Sequence, residues 1–187
     1  GELRPGPPDT GSLDWGDTAV ALPTDCDATA PMPEGPFFRA DAPTRTDLRT
    51  AGESGTVLHL SGVVRSAKDC ALLGGAVLEI WHVQQDGEYD MDSSDMHYRT
   101  TLRIGFDGTY AITTLMPINY PNGAGITMPK HIHVKLNAHG HRECITQLRF
   151  DDDAFDDGMT IEETLLSATE NADGSFSATF DFALAPS

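Results

Sequence analysis

Pro129-Lys130-His131-Ile132-His133-Val134-Lys135-Leu136 is the stretch whose reading decides the fold. Ile132, Val134 and Leu136 recur at every second position, the period of a β-strand with one face on a core. His131 and His133 then share the opposite face, where they can hold a metal or relay a proton. A His-x-His pair on a strand is also what an ordinary polar solvent face looks like. Its meaning therefore depends on the rest of the chain.

Outward from this strand the text stays β. Asn137-Ala138-His139-Gly140 is a turn, and residues 142–150 form a partner strand, with Cys144, Thr146, Leu148 and Phe150 on one face. Upstream, residues 117–128 form a loop containing Pro117, Pro121, Gly123 and Gly125. Before it, Asp107-Gly108 supplies a hairpin turn between a polar strand over residues 97–105 and a strand over residues 110–116. Gly74-Gly75 opens a strand in which Ala76, Leu78 and Ile80 alternate with Val77, Glu79 and Trp81. Leu58, Leu60, Val63 and Val64 mark a first strand; Phe176, Ala178, Phe180, Phe182 and Leu184 mark a last. About seven or more short strands separated by turn chemistry predict an all-β, single-domain β-sandwich over residues 26–187. One short peripheral helix is expected over residues 160–169, where Ile161, Leu165 and Ala168 fall on one side.

Residues 1–25 are rich in Gly, Pro, Asp and Thr without a hydrophobic period, the composition of a flexible leader or tether. Residues 26–50, with four prolines and the pair Phe37-Phe38, suit an ordered extended segment pinned by aromatics. At 187 residues the chain is long enough for a proper core. The 29 acidic against 12 basic residues give a net charge of −17, the wrong sign for a nucleic-acid partner. No apolar run approaches a membrane span. The three cysteines form no C-x-x-C pair, which removes zinc-ribbon and thioredoxin-type readings. Cys144 reads as a buried small hydrophobe; Cys26 and Cys70 lie in irregular segments that a long-loop disulfide could join.

H-E-x-x-H, G-x-S-x-G and Walker motifs are absent from the sequence. The run Asp151-Asp152-Asp153 with Asp156-Asp157 lacks EF-hand spacing and reads as a solvated acidic loop. What remains is a set of histidines and tyrosines: Tyr89, just past the Trp81-His82-Val83 strand end, and Tyr120, shortly before the histidines. Either tyrosine alone is an ordinary residue that buries its ring and wets its hydroxyl. Together, two phenols and two imidazoles suit ferric iron, because phenolate is a hard anionic donor and imidazole a neutral borderline one.

Leu78-Glu79-Ile80-Trp81-His82 with Gly87-Glu88-Tyr89, Asp107-Gly108-Thr109-Tyr110, the Pro-x-x-Tyr-Pro at 117–121, His131-Ile132-His133 and Thr146-Gln147 resemble the intradiol ring-cleavage dioxygenases. Pro33-Glu34-Gly35-Pro36-Phe37 resembles a segment of the short, extracytoplasmic members. The resemblance implies a non-haem Fe(III) site with Tyr89, Tyr120, His131 and His133 as ligands. It makes Tyr120 the phenolate that leaves when substrate binds and Tyr89 the one that stays, with Gln147 beside the site. It implies O2-dependent cleavage of a catechol-type diol to a muconate-type diacid, a Cys26–Cys70 disulfide and an extracytoplasmic location. The oligomeric state is left open, a homodimer being one arrangement.

One departure stands out. Where the family carries an arginine three residues before the first histidine, this chain has Met128, and Lys130 replaces a small residue. Losing such a cation costs about 2–4 kcal/mol of transition-state stabilisation unless another replaces it. Lys130 points away from the histidine face on a strand. Arg99 resembles a structural arginine of the family, which leaves Arg103, on the same strand face, as the candidate substitute. An iron- or phenolic-binding protein without turnover is the competing expectation.

Overall fold

The computed structural model describes residues 26–187. The leader expected over residues 1–25 lies outside the described residues. Among the described residues twelve strands follow in order: β1 Val57–Ser66, β2 Val77–Trp81, β3 Arg99–Arg103, β4 Thr109–Leu115, β5 Tyr120–Pro121, β6 Thr127–Met128, β7 His131–Asn137, β8 Cys144–Phe150, β9 Leu165–Leu166, β10 Thr169–Glu170, β11 Phe176–Thr179 and β12 Phe182–Leu184. One five-stranded sheet has β1 at its centre, paired antiparallel with β4 and parallel with β11 and β12, while β10 pairs with β11. The other runs β3-β2-β7-β8-β9, and β5 with β6 makes a small separate hairpin. The architecture is a β-sandwich, as the strand period predicts.

The core lies between the sheets. Leu58, Leu60, Ile112 and Phe182 from the first meet Leu78, Ile80, Ile132, Val134 and Leu136 from the second, all buried. Fully burying a Val, Leu or Ile side chain contributes about 1.5–3 kcal/mol, so this layer is the main source of stability. The opposite face of the β2–β7 sheet is covered as well. Trp81, Val83, Tyr89 and Tyr120 form a second buried cluster there, with Phe37, Phe38, Ile118 and Met128 packed on it. The segment over residues 26–50 supplies part of that cover without forming a regular element. It is tied down by hydrogen bonds from Met32 N to Ile145 O (2.8 Å), Thr29 N to Ala183 O (2.9 Å) and Leu48 N to Thr113 O (2.8 Å). Cys26 is bonded to Cys70, which anchors the start of this segment.

Three sequence expectations need correction. Asp107-Gly108 does not close a hairpin: β3 pairs with β2 in one sheet and β4 with β1 in the other, so the turn carries the chain between the sheets. The helix over residues 160–169 is a single 3₁₀ turn, Glu162–Thr164, followed by β9 pairing parallel with Arg149 and Phe150 at the sheet edge. Ten residues with three β-branched threonines make a marginal helix, and an open sheet edge offers the backbone better partners. The last strand is also broken. At Phe180–Asp181 the carbonyl of Phe180 accepts from Tyr110 Oη (2.7 Å), and the Asp181 carboxylate accepts from Val63 N (3.1 Å). Gly62 permits this kink, since a Cβ there would lie 1.9 Å from Phe180 O.

Candidate metal centre

Sheet register puts the functional side chains on one face. In the β7–β8 pair His131 lies opposite Arg149 and His133 opposite Gln147; in the β2–β7 pair Trp81 lies opposite His133. Directly paired residues project the same way, so these side chains form a patch on the face away from the core. The His133 ring stacks on Trp81 at 4.9 Å between centroids and 2° between planes.

The tyrosines come from outside the sheet. After β2 the chain reverses through hydrogen bonds from Gln84 N to Glu88 O (2.9 Å) and Gly87 N to Gln84 O (3.1 Å). Gly87, at φ 87°, holds a left-handed conformation that any side chain would strain. This reversal returns Tyr89 over the sheet, where it stacks on Phe37 with centroids 4.4 Å apart. Tyr120 arrives on β5, paired with Met128 on β6.

The four side chains meet at their polar tips. Tyr89 Oη lies 3.2 Å from His131 Nε2 and 3.1 Å from His133 Nε2. The two Nε2 atoms are 3.2 Å apart, and Tyr120 Oη is 3.4 Å from Tyr89 Oη. Donors held roughly 2 Å from one shared centre are spaced in this way. The protons do not suffice to make these contacts ordinary hydrogen bonds. His131 Nδ1 is 2.6 Å from Pro129 O, which can only accept, so the ring proton is on Nδ1 and Nε2 presents a lone pair. Tyr120 Oη donates to Tyr89 Oη, which leaves the Tyr89 proton and at most one on His133 Nε2 for the other three contacts. Such crowding of lone pairs in a buried site suits a cation.

Electrostatics agree. Burial pushes the Tyr89 phenol far up, with the Tyr120 phenol beside it adding to the effect, and burial also raises Tyr120. Burial pulls His131 down and His133 further, where neighbouring His131 contributes too. Without a metal the quartet is therefore two neutral phenols and two neutral imidazoles. Metal binding must displace the phenolic protons. A hard trivalent ion suits this oxygen-rich donor set, so the residues fit ferric iron.

A cavity of about 640 Å³ opens beside the quartet; among the described residues Pro36, Phe37, Glu88, Pro121, Ala124 and Met128 line it. Gln147 also lines it. The structure does not bring Arg103 here. It occupies the far end of β3, opposite Val77, where it is exposed and donates to Gly75 O at 3.4 Å. Arg99 faces the same side as the quartet but is separated from it by Trp81, and donates to Asp90 O at 3.1 Å. Lys130 Nζ pairs with Asp152 at 3.1 Å. Tyr98 is buried in the main core, its hydroxyl bonded to Glu53.

Arg149, Asp157 and the covering role of Phe37 escape the sequence reading. The acidic loop is only partly solvated: Asp157 makes a buried ion pair with Arg149 (2.5 Å), and Asp153 accepts from Asn119 at 2.9 and 3.0 Å. The signal for Arg149 was its strand phase, since it shares a face with Gln147.

Residues 33–186 match the family model described as Dioxygenase. The chain is 33% identical over 143 residues to chlorocatechol 1,2-dioxygenase of Cupriavidus pinatubonensis (strain JMP 134 / LMG 1197), covering 67% of this chain and 56% of that protein. It is 29% identical over 168 residues to catechol 1,2-dioxygenase 1 of Acinetobacter lwoffii, covering 75% and 53%. The solved dioxygenase domain of a dioxygenase carbohydrate-binding protein fusion from Streptomyces sp. SirexAA-E matches with TM-score 0.77 at 32% identity, covering 86% of this chain and 100% of that one. The 3-chlorocatechol 1,2-dioxygenase structure from Rhodococcus opacus 1CP shares the fold, with TM-score 0.79, 22% identity and coverage of 90% and 76%. A β-sandwich whose sheet face gathers two histidines and two tyrosines defines a class, and this chain belongs to the intradiol dioxygenase family. It spans 56% of the length of the first curated relatives it matches.

Proposed function

We propose that the chain is a non-haem Fe(III) intradiol dioxygenase that cleaves a neutral catechol-type diol with O2 to a muconate-type diacid. The convergence of Tyr89, Tyr120, His131 and His133 within 3.1–3.4 Å carries this reading. Those four residues would hold the iron, whose Lewis acidity stabilises the diol as its dianion and activates the ring toward O2. The chain does the rest. Pro129 O fixes the His131 tautomer, and Trp81 fixes the His133 plane. Tyr120 Oη, once ionised, would take up a proton of the incoming diol, while Tyr89 stays under Phe37. Gln147, at the cavity wall, donates to the substrate oxygen that gains negative charge.

The cavity lining supports a neutral diol. Among the described residues its lining includes Glu88 and no Lys or Arg, so it offers a ring carboxylate no cationic partner. Its volume exceeds what an unsubstituted diol fills, which leaves room for apolar substituents against Pro36, Pro121 and Met128. The Cys26–Cys70 bond supports an extracytoplasmic setting.

Oxygen uptake by iron-replete protein across a panel of neutral and carboxylated catechols tests the reading. Uptake with neutral diols, diacid formation and weak response to carboxylated rings are expected. Met128 at the cavity wall favours one competing reading, an iron- or phenolic-binding protein. Catechol binding with no uptake anywhere on the panel would establish it.

A further inference from the structure

Gln147 is held from both ends. Its Nε2 donates to Pro33 O at 3.0 Å, and its Oε1 accepts from Arg149 Nη2 at 3.3 Å. Pro33 O can only accept and a guanidinium can only donate, so the amide has one orientation that satisfies both partners. Arg149 is itself held. Its buried guanidinium spans the Asp157 carboxylate, Nη1 to Oδ1 at 2.5 Å and Nη2 to Oδ2 at 3.0 Å, and Nη1 also donates to Thr160 Oγ1 at 3.0 Å. A bidentate, charge-assisted pair of this kind gives strong geometric definition. Arg149 does not line the cavity; Gln147 does.

We propose that Arg149, anchored by Asp157, is the positioning residue that fixes the Gln147 amide with its N–H edge, not its carbonyl, toward the bound diol. A glutamine amide turned by 180° occupies nearly the same volume but presents an acceptor. Facing a substrate oxygen that gains negative charge, that acceptor repels where the donor attracts. The loop over residues 151–160 thereby reaches the reaction through one side chain. The proposal rests on the diol-site reading for what the donor meets, and on the two hydrogen bonds for the orientation.

The test uses R149M/D157N, which removes both charges of the buried pair so that neither is left unpaired. Expected are a kcat about 10- to 100-fold lower, a KM and a visible phenolate band close to those of the parent, and less than about a twofold further loss when the same pair is introduced into Q147A. Multiplicative losses in the Q147A background would overturn the proposal, because Arg149 would then act independently of Gln147. A second readout does not depend on turnover. The chain has three glutamines, Gln84, Gln85 and Gln147, so side-chain ¹⁵N amide signals are few and assignable. In the full chain loaded with gallium(III), a diamagnetic ion of ferric charge, the Gln147 amide proton bonded to Pro33 O should exchange slowly with water. It should exchange fast in R149M/D157N; equal protection in both proteins overturns the clamp. If the amide responds but iron-replete parent protein consumes no O2 with any diol, the reaction reading fails and the clamp stands.

Discussion

Tyr89 stacks on Phe37, and among the described residues its hydroxyl bonds within the quartet alone. Tyr89→Phe keeps the ring stack and removes one phenolate, and the visible band of the iron-loaded protein should weaken or shift while the fold is kept. Tyr98→Phe is the control, since its hydroxyl serves Glu53 in a different part of the core; it should leave the band alone and cost about 1 kcal/mol in denaturant titration. Asp90 shows how the wall behind Arg99 is held. Burial alone would raise its carboxyl, but hydrogen bonds from the Ser93 hydroxyl and the His97 and Ser93 backbone outweigh burial and hold it at about 2. The folded value lies below an unfolded value of about 3.9. Its contribution is therefore present above about pH 4 and lost as pH falls through about 2. Asp90→Asn should cost about 2 kcal/mol near neutral pH and flatten the acid limb of the stability curve. At this scale His131, His133, Tyr89, Tyr120 and Gln147 could be read in the sequence as a compound motif, because their types are unusual together. Arg149 and Asp157 could not: an arginine on a strand and an aspartate in an acid run look solvated until the pairing between them is seen.

Elements explain why the quartet meets. β7 contributes both histidines because its period puts them on one face, and that period is plain in the sequence. The arrival of Tyr89 depends instead on the reversal at Gly87, whose positive φ no spacing rule signals. Gly87→Ala should cost about 1–2 kcal/mol in stability, and the phenolate band should suffer more than the melting temperature, since the same turn aims Tyr89. Gly62→Ala should act oppositely. A Cβ 1.9 Å from Phe180 O forces β1 away from the β11–β12 kink, so stability should fall by about 3 kcal/mol; any residual folded protein keeps its band. The missed 3₁₀ turn has a related cause. Ile161, Leu165 and Ala168 fit a helical stripe, yet the hydrogen-bonding edge of β8 captures Leu165 and Leu166 instead. Local periodicity carries no information about an edge formed elsewhere in the chain.

For the whole molecule, the extended segment over residues 26–50 matters more than its lack of regular structure suggests. It carries Pro33, which holds Gln147, and Phe37, which covers Tyr89, and it is pinned by the Cys26–Cys70 bond across a separation of 44 residues. Closing a loop of that length contributes about 3–4 kcal/mol by chain entropy. Cys26→Ala with Cys70→Ala should lower the melting temperature and loosen the cover over the site, seen as faster iron loss to a chelator. Among the described residues no helix is long and apolar enough to cross a membrane. The two-sheet plan followed from strand alternation and turn residues, whereas the second buried layer did not, because Phe37 and Phe38 have no period to announce which face they cover. The most direct measurement is iron content together with the visible spectrum of the ferric-loaded chain. One iron per chain and a red to burgundy phenolate-to-iron band that weakens or shifts in Tyr89→Phe are expected. A colourless protein that takes up no stoichiometric iron would contradict the site.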